Sequence, residues 1–88
     1  MKKISLLDHV SIAFFDDSAI LLDSRKGVYY GLNDSGADFF IFFDKIGSVE
    51  LAMKEVSIKY EISLSLIEND LNSLIANLKE FNLIEILP

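Results

Sequence analysis

The 88-residue chain contains no cysteine and only one histidine and one proline. The absence of cysteine excludes disulfide scaffolds, thiolate zinc sites, iron–sulfur clusters and cysteine nucleophiles. The single histidine, His9, argues against a histidine-based metal site and against a catalytic triad, because the chain has no second histidine and no cysteine to act with it. A hydrophobic fraction of 51% is typical of a globular chain and not of a disordered or collagen-like one. We therefore expect a small folded domain without a metal or other cofactor.

Positive charge is also scarce, with 8 lysines and arginines against 14 acidic residues and a net charge of −6. Nucleic-acid affinity comes largely from neutralising phosphates with lysine and arginine, so this balance argues against a nucleic-acid partner. A chain of this length can build one modest core, and we expect a single domain over residues 1–88.

No apolar run is long enough to cross a membrane. The densest one, residues 37–46, contains three charged residues and is far shorter than the ~20 residues that a span needs. The start of the chain superficially resembles a secretory signal, but Asp8 and His9 interrupt its apolar run and no small-residue cleavage site follows. We therefore expect no membrane partner and a cytoplasmic location.

Three short segments near the start of the chain have the composition of β-strands, namely residues 10–14, 19–22 and 28–32. The turn between the last two ends at Gly27, where a type I turn with a bulge needs a positive φ. This spacing predicts an antiparallel meander of three strands.

Helical patterns follow. Asn33, Asp34 and Ser35 supply possible N-caps for a first helix that ends at Gly47, and Ser48 caps a second helix to about Tyr60. A third helix is predicted by an apolar stripe at steps of three and four, widened by Ile75. The members of the stripe are Leu64, Ile67, Leu71, Leu74, Leu78 and Phe81.

The ends of the third helix have their own signals. Ser65 and Glu68 have the spacing of a capping box, and Asn82 is a plausible left-handed residue after the helix. Residues 83–86 are long enough only for a docking tail or an edge strand. The chain is thus predicted to be α+β, a three-stranded antiparallel sheet followed by three helices in a winged-helix-like arrangement.

No motif points to catalysis. The acid pairs Asp16/Asp17 and Asp34/Asp38 stand at turns and caps, where carboxylates usually bond local amides or water. The four glycines form neither a G-x-G-x-x-G fingerprint nor a P-loop. We expect a protein that is not an enzyme.

The third predicted strand, Val28–Leu32, has neither a proline nor a charge to protect it as an edge strand. Val28, Tyr30 and Leu32 share one of its faces. Leu32 is best explained as core, whereas Tyr30 could equally form the rim of a pocket, because its hydroxyl needs a polar or wet neighbour. The edge favours a function in binding another polypeptide.

The order of the motifs resembles the PqqD-like family of RiPP recognition elements, over roughly residues 10–86. The matching segments are ILLD at 20–23, GVYYGLN at 27–33, SGA at 35–37, Gly47 followed by VELA at 49–52, YEI at 60–62, IENDL at 67–71 and NLI at 82–84. One departure is Asn82, where the family usually has a glycine; asparagine still permits a left-handed cap.

The resemblance implies a domain that binds the leader of a ribosomally made precursor peptide as an antiparallel strand beside the third strand, against the third helix. It implies a second partner, a processing enzyme that is either a leader peptidase of a lasso-peptide pathway or a radical enzyme, as for PqqD. The peptide-binding residues it implies are Val28, Tyr29, Tyr30, Gly31, Leu32, Ile67, Asp70, Leu71 and Leu74.

Two other functions remain open at this point. A DNA-binding winged helix is the alternative, although residues 61–88 carry five acids and one lysine and would repel phosphates. The second of these functions, and the third choice overall, is that of a purely structural subunit of a larger enzyme.

Overall fold

The computed structural model describes residues 3–16 and 18–87, which form five strands and three helices. Asp17, predicted to lie in a turn, is outside the described residues. The elements in chain order are β1 (Lys3–Leu6), β2 (Val10–Phe15), β3 (Ser18–Asp23), β4 (Val28–Leu32), α1 (Asp34–Ile46), α2 (Val49–Tyr60), α3 (Leu64–Glu80) and β5 (Ile84–Leu87). The predicted α+β class is confirmed.

The three predicted strands form one antiparallel sheet in the order β2-β3-β4. Gly27 has a φ of 67°, and its amide donates a 2.8 Å hydrogen bond to the carbonyl of Asp23, as the predicted turn requires. Alternation along β3 buries Ala19 and Leu21 against the helices. The meander and its turn were therefore predictable from local chemistry.

A second sheet was not predicted as such. β1 pairs antiparallel with β5, from Lys3 opposite Leu87 to Leu6 opposite Ile84. The C-terminal residues predicted to be a docking tail or edge strand thus become a strand, whereas β1 was missed. Its partner is at the other end of the chain, so no local pattern identifies the pairing.

The helix caps mostly agree with the sequence. The side chain of Asn33 accepts a hydrogen bond from the amide of Gly36, and Gly47 ends α1 with a φ of 78°. Ser48 accepts from the amide of Leu51 at the start of α2. These side chains satisfy amides that have no partner inside the helix.

The predicted capping box of α3 is wrong. The N-cap is Ser63, which makes no side-chain cap bond, and Ser65 already lies inside the helix. Asn82 does adopt the predicted left-handed conformation, with a φ of 59°, and the amide of Leu83 donates to the carbonyl of Leu78. The helix therefore starts before Ser65 without a side-chain cap and ends in the expected αL turn.

The core lies between the three-stranded sheet and the helices, and α3 contributes one broad face to it. Its buried residues are Ile67, Leu71, Ile75 and Leu78. The two ends of the predicted stripe, Leu64 and Phe81, are 39% and 45% exposed, because the stripe is longer than the core. No helix within the described residues is long and apolar enough to cross a membrane.

A buried carboxylate connects three turns. Asp23 is 1% exposed, and its Oδ1 accepts hydrogen bonds from the amides of Arg25 (3.0 Å) and Lys26 (3.1 Å). Nε2 of His9 lies 4.0 Å from Oδ2 of Asp23 and 3.0 Å from the carbonyl oxygen of Asn82. Asp23 and His9 together thus connect the turn before β2, the turn before β4 and the turn after α3.

Two opposing effects determine the pKa of Asp23. Burial acts to raise its pKa, but the amides of Lys26 and Arg25 and the positive charges of His9 and Lys26 outweigh it, so the pKa is below its ordinary value. An acid with a lowered folded pKa stabilises the fold above its unfolded pKa and loses that contribution as the pH falls through the folded pKa.

We predict that Asp23→Asn lowers the melting temperature at pH 7, because asparagine keeps the shape but not the charge. The difference from the wild type should narrow as the pH falls below about 4, the ordinary pKa of aspartate in the unfolded chain, and then through the lowered pKa of Asp23 in the folded protein. Thermal melts followed by circular dichroism at several pH values measure this, with the exposed Asp44→Asn as control. A difference that stays constant down to pH ~2 would contradict the assignment.

Candidate functional site

Strand β4 forms an edge of its sheet within the described residues, since its one neighbour there is β3. Leu32 is buried and Tyr30 half-buried on the face toward the helices, whereas Tyr29, 70% exposed, and Gly31 are on the opposite face. An edge strand presents backbone N–H and C=O groups that another strand can pair with. β4 is therefore available for strand addition.

An aromatic pair connects β4 to the end of α3. The rings of Tyr30 and Phe81 stack with their centroids 5.3 Å apart and an angle of 25° between their planes. Phe81, directly after α3, remains 45% exposed. The stack therefore makes an apolar surface beside the open edge. Phe81 was not among the predicted site residues, although its place at the end of the apolar stripe was a usable signal.

A glycine controls how closely α1 approaches α3. A Cβ atom on Gly36 would lie 3.1 Å from Cδ2 of Leu74 and 3.7 Å from Cβ of Leu32. The missing side chain lets Leu74 pack against the first turn of α1, directly after β4. This contact gives the SGA segment a physical role in bringing α3 beside the end of β4.

A groove of about 300 Å³ lies where these elements meet. On α3 its residues recur at steps of three and four, so they share one helix face. The rim is mainly hydroxyls and amides, with the carboxylate of Asp70 as its one charge, and the floor is leucine. The lining residues are Asn33, Ser35, Gly36, Asp70, Leu71, Ser73, Leu74 and Asn77.

The structure divides the nine predicted site residues into two groups. Six are at least partly accessible along β4 and the groove: Val28, Tyr29, Tyr30, Gly31, Asp70 and Leu74. Three are buried in the core beneath them: Leu32, Ile67 and Leu71. Burial suits this second group to holding the helix against the sheet, and peptide contact by the nine residues stays a prediction.

One of the acids considered for catalysis, Asp38, has structural partners. The carboxylate of Asp38 accepts a 2.8 Å hydrogen bond from Nζ of Lys59 and another from the hydroxyl of Tyr60, which link α1 to α2. Asp34 is exposed in the first turn of α1, where a negative charge is favoured by the helix dipole. Across residues 3–16 and 18–87, histidines and acids form no cluster of three or more that could hold a metal ion.

The chain matches the model of a known family. The model of the family described as coenzyme PQQ synthesis protein D matches residues 18–84, which is more than half of the chain. The match begins at β3 and ends at the start of β5, so it includes β4, the groove and the whole of α3. No curated protein sequence matches the chain.

Two solved structures are similar over nearly the whole chain. TbiB1 in complex with the TbiA(beta) leader peptide is 25% identical, with a TM-score of 0.80, and the alignment covers 91% of this chain and 93% of that one. Lasso peptide synthetase B1 complexed with the leader peptide is 29% identical, also with a TM-score of 0.80, covering 98% and 99%. Both similar proteins were therefore solved with a leader peptide.

We predict that Leu71→Ala and Leu74→Ala differ in their effect on stability. Leu71 is 2% exposed, so its truncation should lower the free energy of unfolding by ~2–5 kcal/mol. Leu74 is only partly buried and should cost less. Urea unfolding at equilibrium measures both. Equal losses would show that Leu74 belongs to the core as fully as Leu71 and is not a groove residue.

Proposed function

The chain belongs to the PqqD family, and from this membership we propose that it binds the leader segment of a ribosomally made precursor peptide as an added strand beside β4. The observation that carries the proposal is the unpaired, uncharged edge of β4 with a groove against α3 at its end. The two similar structures support it, because each of those proteins is bound to a leader peptide.

In strand addition the backbone and the side chains of the binding site make different contributions to recognition. The backbone of Val28–Leu32 supplies the hydrogen bonds, which give affinity with little dependence on the peptide's sequence. The Tyr30–Phe81 stack and the groove beside Leu74 would receive apolar side chains, which give specificity. Alternate residues of an extended peptide point the same way, so two neighbouring anchors are expected at positions i and i+2.

The buried residues have an indirect part in this proposal. Ile67 and Leu71 hold α3 against the core, and Leu32 anchors the end of β4. Their side chains keep the groove at a fixed width. Asp70 stands on its rim, where an exposed charge chiefly affects the association rate.

In this proposal the protein does no chemistry itself and presents the bound peptide to a processing enzyme. A leader peptidase and a radical enzyme are the two candidates, and similarity to lasso peptide synthetase B1 favours the leader peptidase. A short precursor gene beside genes for a transglutaminase-like peptidase and an asparagine-synthetase-like cyclase would distinguish the lasso pathway from the redox-cofactor pathway.

We predict that the leader encoded by such a precursor gene binds along β4. Titration of labelled protein should shift the backbone amides of residues 28–33 and of the 67–74 face of α3 most strongly, because these lie beside the added strand. Amide chemical-shift mapping measures this. Changes confined to Val49–Tyr60 would contradict the proposal.

We also predict that Tyr30→Ala weakens leader binding by about tenfold or more, while lowering the melting temperature less than Leu71→Ala does. Tyr29→Ala is the matched comparison, since it removes the same side chain from the opposite face of the same strand and should lose much less affinity. Calorimetric titration and thermal melts give the two readouts. Equal losses of affinity for Tyr29→Ala and Tyr30→Ala would place the peptide elsewhere.

Duplex DNA should not bind. A net charge of −6 leaves few phosphates that the chain could neutralise, so fluorescence anisotropy with a short labelled duplex should show no salt-dependent affinity. Tight binding that weakens steeply as salt is added would overturn the peptide-binding proposal in favour of a DNA-binding winged helix.

A further inference from the structure

The two ends of β4 carry opposite charges, although the strand itself has none. Arg25 and Lys26 lie in the turn that leads into the strand, and both are exposed. Asp34 begins α1 two residues after the strand ends, and it is exposed as well. Any polypeptide lying along β4 therefore has cations near one of its ends and carboxylates near the other.

The groove strengthens the negative end. Asp70 lines it together with Asn33 and Ser35, which directly follow β4 and flank Asp34. Two exposed carboxylates from different elements thus lie at the end of the strand near Leu32. We call Asp34 and Asp70 the acidic end.

A second hollow, of about 440 Å³, lies at the positive end and is lined by both Arg25 and Lys26. Asn82 also lines it, and Asn82 follows Phe81, the ring that stacks on Tyr30. The hollow therefore includes the residue directly after the aromatic pair. We call Arg25 and Lys26 the basic end.

Exposed Asp8 and Glu85 line a neighbouring hollow with Arg25 and offset its charge. Lys26 lines the hollow of about 440 Å³ and not that one. Asp23 lines the same hollow as Lys26, but it is 1% exposed and its Oδ1 already accepts two backbone amides. His9 is largely buried beside it. Lys26 is thus an exposed cation that shares its hollow with no exposed acid, and it is the main positive group of the basic end.

The separation of the two ends makes them independent. Five residues of strand at ~3.3 Å each place them about 16 Å apart. The Debye length is ~10 Å at 0.1 M salt, so a charge on the peptide interacts mainly with the nearer end. The order of charges along the peptide therefore matters, and not only its net charge.

Resting on the proposed function, we propose that the recognised leader segment is charge-ordered, with lysine or arginine toward its N-terminus and aspartate or glutamate toward its C-terminus. A strand antiparallel to β4 starts near Leu32, at the acidic end, and finishes near Val28, at the basic end. Backbone pairing alone does not set a direction or register strongly. The two charged ends set both.

The test uses a displayed library of random peptides, about 16 residues long, selected on the wild-type protein. The enriched peptides should carry basic residues before their apolar anchors and acidic residues after them. A synthetic copy of one enriched peptide, with its basic and acidic residues exchanged and its composition unchanged, should bind about threefold to tenfold more weakly at low salt. Raising the salt should reduce this difference.

Charge-reversal variants assign the effect to the two ends. Asp70→Lys and Lys26→Glu should each reduce the ratio of the affinity for the original peptide to the affinity for the exchanged one. The double variant should bind the exchanged peptide more tightly than the original. The matched controls are Glu55→Lys and Lys54→Glu, the same reversals on the exposed face of α2, and they should keep the preference. Thermal melts check that all variants fold.

The possible failures are distinct. Peptides that shift the amides of residues 28–33 but show no charge order, or whose exchanged copies bind equally well, overturn the charge-order proposal and leave the proposed function standing. A selection that enriches no peptide acting on these amides contradicts the proposed function itself, and the charge order with it.

Discussion

The close approach of α1 and α3 at Gly36 is the constraint on which the candidate site depends. Because Gly36 has no Cβ, Leu74 packs against the first turn of α1 and beside Leu32. That contact sets where α3 lies relative to the end of β4. A Cβ atom at this position would require the side chain of Leu74, which lines the groove with Asp70 and Asn77, to shift by a few tenths of an ångström.

The C-terminal end of α3 is held by different contacts. Phe81 stacks on Tyr30, and the left-handed Asn82 turns the chain toward β5, which pairs with β1. His9 and Asp23 pack at the same junction. α3 is thus held by α1 at Leu74 and by β4 at the residue after its last turn, Phe81.

Much of the candidate site was predictable because it depends on local chemistry. The uncharged strand Val28–Leu32, the positive φ of Gly27 and the apolar stripe of α3 all have short-range patterns. The strand and the turn appear in the structure as expected, and the stripe is buried except at its two ends. The start of α3 was predicted wrongly, because Ser65 has the spacing of a capping box and yet lies within the helix. Serines stand at both 63 and 65, so a local capping preference does not choose between them.

The sequence by itself determined the α+β class, the three-stranded meander, the turns and the acidic, cysteine-free character of the chain, since these follow from side-chain periodicity and composition. Only the tertiary structure decided that β1 pairs with β5 and that Phe81 stacks on Tyr30. It also decided that Ile67 is core, that Leu71 is buried at the bottom of the groove, and that Asp70 and Leu74 are accessible along it. Helical spacing places these four residues of α3 on neighbouring positions without saying which of them a distant segment covers. The physical reason is that pairing and burial are contacts between residues far apart in the chain, and a local pattern carries no information about its distant partner.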